Sequence, residues 1–185
     1  MKIACLGWGS LVWDPGALHI ASEWFADGPA LPIEFARESR GRRLTLVITP
    51  GSPLVRSLWA LSSFDSVETS VADLASRERI KPDKVLHGIG VWGPGTLDLR
   101  GAELEIAQWA ARLNLDAVVW TNLKPRFADQ QRTPDVEEVV TYIRGLSPEH
   151  RASAEQYVRF TPRQIDTPYR RRIQQEFGWT PQGRL

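Results

Sequence analysis

Short apolar runs separated by turn residues dominate the first third of the chain. Ile3-Ala4-Cys5-Leu6 is continuous, ends at Gly7, and predicts a first strand over Lys2–Trp8. Leu31, Ile33, Phe35 and Arg37 alternate with Pro32, Glu34, Ala36 and Glu38, the period of a half-buried strand. A basic turn, Arg40-Gly41-Arg42-Arg43, leads into Leu44–Ile48 and predicts a hairpin. After Pro50-Gly51-Ser52-Pro53, the stretch Leu54–Leu61 reads as one further strand. Asp14-Pro15-Gly16 and Asp27-Gly28-Pro29 are turn signals, and Ala17–Phe25 between them reads as a short helix or an ordered loop.

The period then changes. Asp65 and Glu68 have the spacing of a capping box, predicting a helix that runs to about Arg79, before Lys81-Pro82. Val67, Val71, Leu74 and Ala75 form its apolar stripe. At about 100° per residue, Glu78 falls within about 20° of the azimuth of Val67. A carboxylate therefore continues the buried stripe into the last turn. Val85–Trp92 reads as an apolar strand closed by Gly93-Pro94-Gly95. Ala102–Leu113 reads as a helix with Leu104, Ala107, Trp109 and Ala111 inward. Ala117–Thr121 is a continuous apolar run, the mark of a central strand covered on both faces. Lys124–Thr133 is a polar loop, and helices follow over Pro134–Gly145, Ser147–Phe160 and Thr167–Gly178. Val136, Val139, Val140 and Ile143 form the apolar face of the first of these, and the tail from Thr180 is expected to fray.

Strands come first, one helix interrupts them, and helices gather at the C-terminal end. That is the order of an α+β domain, here one domain over 1–185, and the glycines inside strands allow a curved or barrel-like sheet. Composition narrows the function classes. Net charge is +1, which gives no electrostatic case for nucleic acid or an anionic membrane. The single cysteine excludes an internal disulfide and a cysteine-rich zinc site, and it fits a reducing cytoplasm. The N-terminal apolar run is too short for a signal peptide, and no segment reaches membrane-spanning length. The eight tryptophans are either core filling or, beside glycines, pocket walls.

The chemistry-bearing stretch is Cys5-Leu6-Gly7-Trp8-Gly9-Ser10-Leu11-Val12-Trp13-Asp14-Pro15-Gly16. Glycines let a strand end aim several backbone N–H groups at one point, which suits a carboxylate. A dinucleotide fingerprint needs a glycine or alanine at the position of Val12 and a helix after it, and Asp14-Pro15-Gly16 breaks that pattern. Ser10 is not in a Gly-x-Ser-x-Gly elbow. A tight structural turn and an anion-binding turn both remain open. Glu78 likewise has two readings: an arginine-paired helix-terminal glutamate, or a buried general base with a raised pKa. His19, His87 and His150 have no metal-ligand spacing, and Cys5 is a small core residue. Arg170-Arg171-Arg172, with Arg159 and Arg163 upstream, is a solvated helix face or a contact for RNA, an acidic partner or a second subunit.

Leu6 through Gly16 resembles the N-terminal signature of the gamma-glutamylcyclotransferase superfamily, nearest its ChaC-like branch. Phe35–Ser39, Arg42–Leu46 and Leu58–Leu61 resemble its next strands. Val71–Glu78 is similar to its helix ending in arginine-glutamate. Ala117–Thr121, Pro134–Glu138 and Glu155–Val158 are similar in layout to its C-terminal part. The resemblance implies a small mixed β-barrel with surrounding helices and an enzyme without metal or cofactor. Such an enzyme cyclises the gamma-glutamyl group of a small peptide or amide to 5-oxoproline and releases the amine. It implies that Glu78 transfers the proton and that Gly7, Trp8, Gly9, Ser10 and Leu11 bind substrate. Three features depart from the pattern. Trp8 stands where the family has tyrosine, about 93–113 reads as an inserted helical segment, and about 161–185 as a C-terminal extension. They keep open a non-catalytic member of the fold that binds a small ligand or a protein partner.

Overall fold

The computed structural model describes residues 1–39 and 41–183. Arg40 of the expected basic turn lies outside the described residues, as do Arg184 and Leu185 of the tail. The strands are β1 Ile3–Gly7, β2 Ala30–Glu38, β3 Leu44–Ile48, β4 Leu54–Arg56, β5 Leu58–Leu61, β6 Ile89–Trp92 and β7 Ala117–Thr121. The α-helices are α1 Ser10–Trp13, α2 Val67–Arg77, α3 Val85–Gly88, α4 Ala102–Arg112, α5 Val136–Arg144, α6 Pro148–Phe160 and α7 Pro168–Phe177. The class is α+β, with strands in two sheets. The chain interleaves two compact units, one of Met1–Gly7, Asp14–Leu31 and Arg56–Leu123, the other of Trp8–Trp13, Pro32–Val55 and Lys124–Leu185.

The first unit holds a four-stranded sheet in the order β5-β1-β7-β6. β1 runs antiparallel to β5 and parallel to β7, and β6 runs antiparallel to β7. The apolar run Ala117–Thr121 is central, as its lack of polar alternation predicts, and all five residues of β1 are buried. α2 and α4 pack against β6 and β7. α4 turns Ile106, Trp109 and Ala110 inward, and of the expected face only Trp109 is buried. Asp27 explains the choice. Its carboxylate accepts from Trp59 Nε1 at 2.8 Å and its carbonyl from Trp109 Nε1 at 3.0 Å. The two indoles then meet edge to face with centroids 5.4 Å apart, burying a large ring whose polar edge is satisfied.

Three boundaries in this unit differ from the sequence reading. The N-cap of α2 is Ser66, not Asp65: its Oγ accepts from Thr69 N at 3.3 Å and donates to Glu68 Oε2 at 2.8 Å. Starting one residue later puts Glu68 at N2, where the expected reciprocal box cannot close. The apolar run Val85–Trp92 divides into α3 and β6 after a 3-10 turn, Pro82–Lys84, because apolarity alone does not separate helix from strand. Leu54–Leu61 is two strands, not one. Ser57 breaks it, its hydroxyl and N–H both donating to Pro29 O at 2.8 and 3.0 Å. Ala17–Phe25 is an ordered loop, bridged to Ser62 at Ile20 and to Trp59 at Phe25.

The second unit holds the sheet β3-β2-β4. The hairpin of β2 and β3 forms as expected, Phe35 opposite Leu46, with a register shift between Phe35 and Arg37. β2 is not half-buried, since Glu34 and Ala36 are enclosed together with Ile33 and Phe35. The start of α7 covers that face. The Glu34 carboxylate accepts from the Thr167 hydroxyl and from Tyr169 N at 3.3 Å. Burial pushes its pKa above the usual carboxylate range, against the lowering effect of these bonds. α5 begins two residues after Pro134, on an Asp135–Glu138 capping box, and buries Val139, Val140 and Ile143. α6 and α7 start at Ser147 and Thr167, and α7 ends on left-handed Gly178.

The arginine run is a solvated face only in part: Arg163 and Arg171 are exposed, but the run's first arginine is not. Arg170 is 1% exposed. Its guanidinium donates to the carbonyls of Val158, Thr161, Pro162 and Ile165 at 3.2, 2.7, 2.7 and 3.0 Å. It thereby closes the C-terminus of α6 with a cation. Burial lowers its pKa to about 10, so the charge persists at neutral pH. Arg171 pairs with Asp166, and Arg172 with Glu137 and Glu176. The tail is held rather than frayed at Gln182 and Gly183, whose N–H groups donate to Arg159 O at 2.7 and 3.1 Å.

Candidate functional site

β1 stops at Gly7, and Trp8 and Gly9 carry the chain into the single turn of α1. Val12 N donates to Gly9 O at 3.0 Å. One residue of β3 holds this turn twice. Leu46 O accepts from Trp8 Nε1 at 3.2 Å, and Leu46 N donates to Tyr157 Oη at 3.3 Å. Tyr157 in turn abuts Gly9: a Cβ there would lie 2.3 Å from its Oη. Trp13 and Phe35 meet the tyrosine ring edge to face, and the Arg43 guanidinium lies 5.2 Å from its centroid.

These contacts give the turn residues different parts. Trp8 is buried, and its indole N–H is committed to Leu46, so its side chain anchors the turn. Leu11 is buried, and α1 packs against α6. Among the described residues, the backbone N–H groups of Gly9, Ser10 and Leu11 and the hydroxyl of Ser10 make no hydrogen bond. A row of donors without acceptors is what a carboxylate requires. Tyr157 did not stand out in the sequence, where it is one position of an Ala154-Tyr157-Val158 core stripe at helical spacing. The readable trace of it is Gly9, a glycine that needs space rather than a left-handed backbone.

Glu78 belongs to the first unit, as does Gly7. It is the C-cap of α2, at φ −81° and ψ 0°, one residue past the end of a helix whose last turn was expected to contain it. Its N–H still reaches Leu74 O at 3.0 Å, so the helical phase that singled it out is kept. The helix closes with Arg79 N on Ser76 O at 3.0 Å and Ile80 N on Ala75 O at 2.9 Å. Arg79, at φ +52°, takes the left-handed place that glycine fills most easily.

Arg77 ties this helix end to the segment after α1. Its Nε donates to Pro15 O at 2.9 Å and its Nη2 to Asp14 O at 2.5 Å. Its remaining Nη1 reaches Glu78 Oε1 at 3.3 Å, and the Glu78 side chain is 20% exposed. The Glu78 charge, with burial as the larger cause and Asp73 as a smaller one, drives the Cys5 thiol pKa upward. Burial above all leaves Cys5 an inert thiol. Asp73 is occupied by His19, accepting from its N at 2.9 Å and facing its Nδ1 at 2.7 Å. Chemically, Glu78 is a carboxylate on a fixed backbone with the Arg77 cation beside it, a group able to accept and return a proton. Among the described residues no cluster of three or more His, Cys, Asp or Glu could hold a metal ion, and no helix is long and apolar enough to cross a membrane.

No protein-family model matches the chain, and no curated protein matches it. Among solved structures it is similar to a gamma-glutamyl cyclotransferase specific to glutathione from yeast, with a TM-score of 0.46 and 14% identity over 96% of this chain and 98% of that one.

Proposed function

We propose that this protein cyclises a gamma-glutamyl group of a small peptide or amide to 5-oxoproline and releases the amine. The observation that carries the reading is the row of N–H groups at Gly9, Ser10 and Leu11 that make no hydrogen bond among the described residues, in the stretch whose sequence resembles the gamma-glutamylcyclotransferase signature. These donors would bind the substrate α-carboxylate, which folds its α-amine toward its γ-carbonyl. The amine nitrogen bonds to the γ-carbon, and the γ-carbon to nitrogen bond of the leaving amide breaks. Glu78 takes the proton that the attacking amine loses and returns it to the departing amine, so no atom or electron is left over. Ring closure within one molecule needs mainly positioning and one proton carrier, and the reading requires no metal or cofactor.

Incubation with glutathione and a panel of gamma-glutamyl amines, with detection of 5-oxoproline, tests the proposal. Product from at least one substrate is expected, with Glu78→Gln reducing kcat by a factor on the order of 10²–10⁴. No product from any of them, or full activity in Glu78→Gln, overturns it. The bond from Arg77 Nη1 to Glu78 Oε1 favours a second reading, a non-catalytic member of the fold that binds a small ligand or a protein partner. Saturable binding of a gamma-glutamyl amine without turnover would select it.

A further inference from the structure

We propose that Arg37 and Arg126, both in the second unit, form an anion site that takes a phosphate group. The two residues face each other across a parallel β-bridge. Arg126 N donates to Ala36 O at 3.0 Å, and Glu38 N donates to Arg126 O at 2.8 Å. Bridge partners project from the same side of paired backbones about 4.8 Å apart. Two guanidinium stems therefore start side by side. Like charges placed opposite one another destabilise such a pair, and an anion held between them reverses the sign.

Arg37 separates this place from an ordinary basic surface. A guanidinium taken out of water normally spends its donors on carboxylates or carbonyls. Arg170 does so, with four carbonyls around it. Arg37 is half-buried and gives one such bond, from Nη1 to Lys124 O at 2.7 Å. Its other donors make no hydrogen bond or ion pair among the described residues. Burial lowers its pKa and the charge of Arg126 adds to that, so both act against the cation. Arg126 Nη2 pairs with Asp129 Oδ1 at 2.8 Å, but that carboxylate is 94% exposed, and a pair of this kind is weak. Phosphate suits the arrangement better than carboxylate. One guanidinium fork occupies both oxygens of a carboxylate, whereas a phosphate keeps a further oxygen for the second fork. This site is independent of the cyclisation proposed above, and its test involves no turnover.

The full chain, ¹⁵N-labelled, is titrated at constant ionic strength with sodium phosphate, glycerol 1-phosphate and sodium acetate. The expected result is saturable binding of phosphate or its ester, with acetate at least about tenfold weaker. Both phosphates support the site: a preference for the ester assigns the group to a larger ligand, and equal affinity assigns it to the free ion. Shifts should centre on the Nε–H groups of Arg37 and Arg126 and on the amides of Glu38 and Arg126. Arg37→Gln and Arg126→Gln should each weaken phosphate about tenfold, and Asp129→Asn should tighten it by removing a competing carboxylate. Arg171→Gln, at an exposed arginine paired with Asp166, should leave it unchanged. No saturation, acetate binding as tightly as phosphate, shifts centred elsewhere, or full affinity in Arg126→Gln overturns the proposal. Should Arg37→Gln disturb the whole spectrum by releasing Lys124 O, Arg126→Gln and Asp129→Asn, both at exposed positions, decide the matter.

Discussion

Gly9 and Tyr157 approach so closely that one added carbon cannot fit between them. A Cβ on Gly9 would lie 2.3 Å from Tyr157 Oη and 3.3 Å from Cζ. The hydroxyl cannot simply retreat, because it accepts the N–H of Leu46 inside a buried cluster. The glycine is therefore required by its neighbour, and the neighbour is held by the strand that also holds Trp8.

Gly9→Ala is expected to destabilise the protein by about 1–3 kcal/mol through overpacking. Tyr157→Phe alone leaves a buried Leu46 N–H unpaired and costs about 1–3 kcal/mol. The double variant should lose clearly less than the sum, since removing Oη also removes the nearer clash. Urea unfolding of the four proteins checks this. Strict additivity would show that the two residues do not share one constraint.

Arg77 bonds to the carbonyls of Pro15 and Asp14 as well as to Glu78. Arg77→Gln should lower stability by about 1–3 kcal/mol. Amide exchange at Leu18, whose N–H closes the turn onto Pro15 O at 3.1 Å, should accelerate with it. Arg77→Lys should restore little, because a single ammonium cannot match a planar fork across two carbonyls. Unfolding midpoints and exchange at this one amide give the answer, and an unchanged Leu18 would detach Arg77 from the turn.

Arg79 closes α2 at φ +52° and is exposed. An L-residue is costly there, and glycine is not. Arg79→Gly is expected to stabilise the protein by roughly 0.5–1 kcal/mol, the relief of strain exceeding the added freedom of the unfolded chain. Thermal unfolding measures it. A loss of stability would mean that the arginine side chain contributes more than its backbone costs.

Glu34 supplies a pH dependence whose sign follows from its burial. Its folded-state pKa is raised above the ordinary value of 4.5, so the folded protein holds this proton more tightly than the unfolded chain. The associated stability is fully present below 4.5 and is lost as pH rises through the folded pKa. Glu34→Gln should flatten that part of the profile. Urea midpoints of both proteins across the acidic to neutral range check it, and parallel profiles would contradict the assignment.

The element order was readable because most elements carry their own punctuation. Ser147-Pro148 and Thr167-Pro168 announce α6 and α7, and unbroken apolarity marks β7 as central. Helical phase was enough to single out Glu78, although the helix ends one residue before it. Readings failed where two segments compete for one partner. Ser57 divides an apolar run because its polar groups go to Pro29, and α4 rotates because Asp27 holds both Trp59 and Trp109. Arg170 looked like surface because nothing local reveals the four carbonyls that receive it.

By itself the sequence determined the α+β order and the caps of the last two helices, and it nominated the glycine turn and Glu78 as the candidate site. All of these rest on interactions within a few residues, where spacing alone sets geometry. Only the tertiary structure decided that Tyr157 is the reason Gly9 is glycine, that Trp8 is an anchor committed to Leu46, and that Arg77 ties the end of α2 to Asp14 and Pro15. Those relationships join residues far apart in the chain, where close packing and the pairing of buried donors select partners that no local pattern encodes.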